Sequence, residues 1–191
     1  LEAHRRLGKV CAGACLWQLS EPWPNLAGTC SIDMFNQVKP AYYGETAAFR
    51  PVHASLHYNT LIHKAALEFD VALSNNTAEE FAGNVKTEVF DIFGNLIKAK
   101  DVPCRISPDS QIHTLFSECV KSLPDGLVFI RYTLSDSFGN EVENGYSVHS
   151  SDDIPYRRLT EQEDSDVIAV YRDGSLFLTN NGKKVVSGVC V

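Results

Sequence analysis

Between residues 67 and 73 apolar and polar side chains alternate. Leu67, Phe69, Val71 and Leu73 take one side, with Glu68, Asp70 and Ala72 between them. Val128, Ile130, Tyr132 and Leu134 form a second such row. A period of two marks a strand with one face in a core. Further strand-like runs occupy 52–58, 85–93, 96–99, 112–120 and 141–149. Turn chemistry separates them: Ser74-Asn-Asn-Thr77, Phe93-Gly-Asn95, Leu123-Pro-Asp-Gly126 and Phe138-Gly-Asn140. About seven short strands at this spacing over 51–150 predict an immunoglobulin-like antiparallel β-sandwich. Asp91-Ile-Phe-Gly-Asn95 and Asp136-Ser-Phe-Gly-Asn140 share the pattern Asp-x-Phe-Gly-Asn, each between two strands. Gly and Asn tolerate positive φ and Asp bonds the turn backbone, so these read as repeated hairpin tips rather than a ligand site.

The flanks have a different pattern. Residues 1–7 form a short amphipathic helix that Gly8 ends. The run 10–19 is small and apolar on both faces, as a strand covered on both sides would be. Two prolines, Pro22 and Pro24, impose a loop, and 40–49 reads as a helix with proline in its first turn. Helix, buried strand, loop and helix make one rung of an α/β barrel or doubly wound sheet. Residues 151–166 are polar and aperiodic, a linker. Strands at 167–171, 175–180 and 185–191 then open a further β domain. The expected fold is therefore mainly β. A sandwich over 51–150 follows one βα rung (1–50) of a barrel or a doubly wound sheet and precedes the first strands of a further β domain (167–191). Elements this close to both ends lead us to expect a piece of a longer protein.

Composition narrows the function. Of 191 residues, 44% are hydrophobic and 21% charged, ordinary for a globular chain. Lys plus Arg number 17 and Asp plus Glu 24, a net charge of −7. That balance argues against nucleic acid as a partner. No apolar run approaches the roughly 20 residues of a membrane-spanning helix. Cys11, Cys15, Cys30, Cys104, Cys119 and Cys190 form no C-x-x-C pair, which speaks against zinc and for reduced, mostly buried thiols. Unpaired cysteines favour a cytoplasmic setting. Cys104 and Cys119 are the pair with most claim to a disulfide, since both fall in the sandwich. No Ser/His/Asp order, phosphate loop or H-E-x-x-H motif occurs, and no cofactor is called for. His53, His57 and His63, with His4, His113 and His149, read as solvated or hydrogen-bonded surface residues. His53 and His57 share a strand face but stand too far apart for joint ligation. Asn75-Asn-Thr77 fits a glycosylation sequon but is more simply a turn. The truncated edges are candidate contacts for a homo-oligomer.

One span stands apart from core building: Trp17-Gln-Leu-Ser-Glu-Pro-Trp-Pro-Asn25, behind the strand of 10–19. In a barrel, loops after the strands build the active site. A tryptophan there can stack on the C–H face of a sugar and Glu21 can bond its hydroxyls; equally, Trp17 and Trp23 can be core aromatics. With Ser31-Ile-Asp33 and Lys39-Pro-Ala-Tyr-Tyr43, this span resembles the end of the catalytic barrel in glycoside hydrolase family 2, in its β-mannosidase and exo-glucosaminidase branch. Ser20 replaces a common Asn, and Met34-Phe35 an aromatic pair. The resemblance implies that 1–50 is the last βα rung of a TIM barrel and 167–191 the first strands of a second sandwich. It implies a retaining O-glycosyl hydrolase that cleaves β-glycosides such as β-mannosides or β-galactosides in carbohydrate metabolism, with carbohydrate as its partner and the sandwich supporting the barrel. It places Trp17 in the subsite of the cleaved sugar, and Glu21 and Trp23 at or beneath its rim. It also implies that both catalytic glutamates lie on earlier barrel strands, so no catalytic residue is expected in this chain. The alternatives are a free-standing carbohydrate- or protein-binding sandwich without catalysis, or a spacer.

Overall fold

The computed structural model describes residues 1–24, 30–157, 167–172, 175–180, 182–183 and 185. Seven antiparallel strands form two sheets: β1 (Val52–His57), β2 (Leu67–Asn75), β3 (Phe81–Asp91), β4 (Leu96–Ile106), β5 (Ser110–Val120), β6 (Leu127–Asp136) and β7 (Glu141–Ser150). The sheet orders are β1-β2-β5 and β4-β3-β6-β7, an immunoglobulin-like sandwich. The two alternating rows of the sequence meet in its core. Leu67, Phe69, Val71 and Leu73 from β2 pack with Val128, Ile130, Tyr132 and Leu134 from β6, all buried. Each such side chain removed from water contributes about 1.5–3 kcal/mol.

β4 runs to Ile106, seven residues beyond the expected end at Ala99. The segment 100–106 contains Lys100, Asp101 and Pro103, residue types depleted in strands. They fit because β4 is an edge strand: charges face water there, and a proline needs no ladder partner on the open side.

Helix α1 (Glu2–Arg6) ends where expected, at Gly8, whose φ is +57°. It lies against β2 and β5, and Arg6 Nη1 donates to Ser55 Oγ at 3.2 Å. Because Ala54 and Leu56 point into the core, Ser55 marks the outer face of the first sheet, which α1 covers. Helix α2 (Pro40–Ala48) starts on its proline and leads directly into β1. Arg5 ties both helices to the strand: Nη1 donates to the carbonyls of Ala48 at 2.7 Å and Arg50 at 2.5 Å.

The run 10–19 departs from expectation. It forms no strand, and Val10, Leu16, Trp17 and Leu19 are exposed. A strand of this composition is stable only between neighbours, and its one ladder contact is a parallel bridge at its end, Ser20 to Ile32. The polar stretch after β7 begins with a short helix, α3 (Asp153–Arg157), followed by the hairpin β8 (Val167–Arg172) and β9 (Ser175–Asn180). The strand expected over 185–191 lies outside the described residues save for Val185.

Cys104 and Cys119 do not pair. Lys98 Nζ donates to the carbonyl of Cys119 at 3.1 Å, so Cys119 lies beside Lys98. Cys104 is six positions further along β4, about 20 Å at the rise of a strand, while a disulfide needs Cα atoms within about 7 Å. Asn75 of the sequon is buried. Its Nδ2 donates to the carbonyls of Glu79, Ile106 and Ser107, and its Oδ1 accepts from Thr77. It is a turn device, with no free amide for a glycan.

Candidate functional site

Trp17, Glu21 and Trp23 sit on a loop folded by short-range hydrogen bonds. Glu21 N donates to Ile32 O at 3.0 Å and Ile32 N to Leu19 O at 2.9 Å. The segment then doubles back. Asp33 Oδ1 accepts the N–H groups of Phe35 and Gln37, both at 2.8 Å, and Lys39 N donates to Ser31 O. This turn brings Lys39, at the head of α2, under the loop.

The three side chains diverge. Glu21 is buried, and its carboxylate accepts from the Lys39 ammonium in an ion pair. Ser31 Oγ donates to Glu45 Oε1 beside it at 2.5 Å. Trp17 and Trp23 face solvent, 82% and 66% exposed, with Phe35 and Tyr43 exposed on the same unit. The Trp17–Gln18 peptide is cis. The loop can thus present aromatic faces to a ring, while Glu21 is engaged in holding the loop together. Neither tryptophan is a core residue in this structure. A cleft of about 440 Å³ lies between α1, residues 11–14 and the end of α2, lined by His4, Arg5, Lys9, Phe49 and Gln111, among others. None of the three candidate residues lines it.

Two buried polar clusters were not legible as such. His53, read as a surface residue, is buried. Its Nδ1 lies 2.7 Å from Glu143 Oε1 and its Nε2 3.2 Å from Glu2 Oε1. Glu143 is itself buried. Its Oε2 accepts from Ala54 N at 3.1 Å, and Arg50 Nη1 lies 3.8 Å from its Oε1. His57 stays exposed and faces Asp70 at 3.7 Å, so the two histidines of β1 have separate partners. His63 and His149, also read as surface residues, are buried together. His63 Nε2 lies 3.1 Å from His149 Nδ1, and Ser147 Oγ 2.5 Å from His149 Nε2. Tyr58 meets the His149 ring edge-on at 4.5 Å. Burial, with the adjacent His63, pushes His149 down to about 4, so its ring is neutral at pH 7. The loop 58–66 folds His63 onto the end of β7 through His63 N to Ser150 O at 2.7 Å. No local signal announces either cluster, because the partners are 90 and 86 residues apart. Among the described residues, no group of three or more His, Cys, Asp or Glu is placed to hold a metal ion. No described helix is long and apolar enough to cross a membrane.

No family model matches the chain, and no curated protein does. Solved structures do. A β-D-mannosidase from Dictyoglomus thermophilum superposes with a TM-score of 0.63 and 20% identity, over 78% of this chain and 18% of its own. An exo-chitosanase from Amycolatopsis orientalis gives 0.66 and 21%, over 79% and 18%. A structure of an exo-β-D-glucosaminidase gives 0.64 and 22%, over 78% and 17%. The chain thus spans less than a fifth of the length of the glycosidases it resembles, and it shares the fold of that part of them.

Proposed function

We propose that this chain is the stretch of a family 2 glycoside hydrolase in which the last rung of the catalytic barrel passes into a supporting immunoglobulin-like sandwich. The observation that carries the reading is the joint occurrence of two features. The Trp17–Asn25 motif, with 31–33 and 39–43, resembles that family in sequence. Independently, most of the chain has the fold found in a β-mannosidase and an exo-chitosanase. In the intact enzyme the reaction would be hydrolysis of a β-glycoside at a non-reducing end with retention. Trp17 forms the platform of the cleaved sugar and Trp23 its rim. Glu21, paired to Lys39, holds the loop in shape and does not touch the reacting bond.

Retaining hydrolysis needs an acid/base and a nucleophile roughly 5–5.5 Å apart across the sugar. The carboxylate of Glu21 is buried and ion-paired, that of Asp33 accepts the Phe35 and Gln37 N–H groups, and that of Glu45 accepts from Ser31. The 191-residue chain should therefore show no turnover of nitrophenyl β-mannoside, β-galactoside, β-glucosaminide or β-glucuronide above background. Turnover that survives repurification and disappears in Glu21→Gln would overturn the reading. Millimolar binding of a β-linked oligosaccharide, lost in Trp17→Ala while activity stays absent, would favour the free-standing binding module instead.

A further inference from the structure

We propose that His53 is an imidazolium at neutral pH that clips helix α1 onto the sandwich, and that losing its proton releases the helix. Both ring nitrogens face carboxylate oxygens: Nδ1 faces Glu143 at 2.7 Å and Nε2 faces Glu2 at 3.2 Å. An ionised carboxylate accepts and cannot donate. Both nitrogens therefore carry hydrogen, and such a ring is a cation. Glu143 also accepts the Ala54 N–H at 3.1 Å and faces the Arg50 guanidinium at 3.8 Å.

The ring sits at a junction of three elements. His53 belongs to β1, Glu143 to β7 of the opposite sheet, and Glu2 to α1. The other charged or titratable groups around it are Arg50 at the entry to β1, Arg5 and Arg6 on α1, Tyr132 on β6 and Tyr58 after β1. From β2 only the hydroxyl of Ser74 reaches it, donating to the His53 carbonyl at 3.4 Å. Burial opposes the charge, and the hydrogen bonds to Glu143 and Glu2 outweigh it, so the pKa of His53 is raised. A neutral ring has one N–H. Glu143 is buried and cannot turn to water, so Nδ1 keeps its hydrogen and Nε2 loses its own. Nε2 then presents a lone pair to the Glu2 carboxylate, and the contact becomes repulsive. Glu2 is partly exposed and can swing into water, and α1 is then held by its arginine hydrogen bonds and its packing against β2 and β5. The stabilisation is complete below about pH 6.5, the value of an unperturbed histidine, and is lost as pH rises through the elevated value.

The test uses the 191-residue chain. Nitrogen-detected NMR of the His53 ring at neutral pH should give two protonated nitrogens, with a titration midpoint above about 6.5. Hydrogen-exchange protection of α1, corrected for the intrinsic effect of pH, should fall about fivefold across that midpoint. Glu2→Gln leaves the buried pair intact. It should show the reduced protection already at neutral pH, with little further change on raising it, and should lower the midpoint. A neutral His53 ring at pH 7 would overturn the proposal. So would α1 protection that does not respond to pH or to Glu2→Gln.

Discussion

Tyr132 of β6 lies directly opposite Gly145 of β7, and its ring covers the bare backbone there. A Cβ built on Gly145 would fall 2.3 Å from the Tyr132 hydroxyl. Two positions earlier on β7, the Glu143 carboxylate accepts the Ala54 N–H of β1. His149 lies further along the same strand, with Ser147 and His63 as neighbours, and its charge state is opposite to that inferred for His53. Its depressed pKa of about 4 means that folding excludes a proton which the unfolded chain takes up near 6.5. Stability should therefore rise with pH between 4 and 6.5, by up to about 1.4 kcal/mol per pH unit. His149→Gln should flatten that slope, as read from urea midpoints at the two ends of the window, whatever its effect on absolute stability. Sequence inspection put His53, His63 and His149 on the surface. Their burial depends on α1 and on the loop 58–66, which only the folded chain brings over them.

At the scale of elements, the strands most legible in the sequence were β2 and β6, where alternation is strict and both neighbours are sheet strands. Edge strands were less so, because their composition answers to water as well as to the core: β4 carries Pro103 and four charged residues, Lys98, Lys100, Asp101 and Arg105. The run 10–19 misled in the other direction, since a small apolar composition states what a strand needs on either side but cannot supply it. Of the candidate site, the span 17–25 was legible as distinct from core building, and both of its tryptophans are exposed. The engagement of Glu21 by Lys39, eighteen residues away, required the turn at Asp33 to be seen. Close approach of strands β3 and β6 gives a sharper test of the sandwich. A Cβ on Gly83 would stand 1.9 Å from the carbonyl oxygen of Ser135, a backbone atom that cannot rotate away. Gly83→Ala should force the two central strands apart and cost about 1–3 kcal/mol or more in chemical denaturation. Gly44→Ala, on α2 with open space around it, should cost nothing and gain up to about 1 kcal/mol. Equal effects of the two substitutions would contradict the observed packing.

Among the described residues, buried side chains concentrate in the sandwich; within 1–50 only Glu21, Cys30, Ser31 and Ala48 are buried, and β9 is exposed throughout. Leu176, Phe177 and Leu178 of β9 are all exposed, although successive residues of a strand point to opposite faces. Both tryptophans of the chain lie ahead of the sandwich, already largely in water. Their fluorescence should be red-shifted in the native state and almost unchanged on adding urea, while far-ultraviolet circular dichroism of the strands collapses in one cooperative step. Disagreement between two such probes is ordinarily taken as the mark of a folding intermediate. In this protein it would reflect only where the indoles are, and the tyrosines, Tyr132 above all, are the chromophores that sense the core.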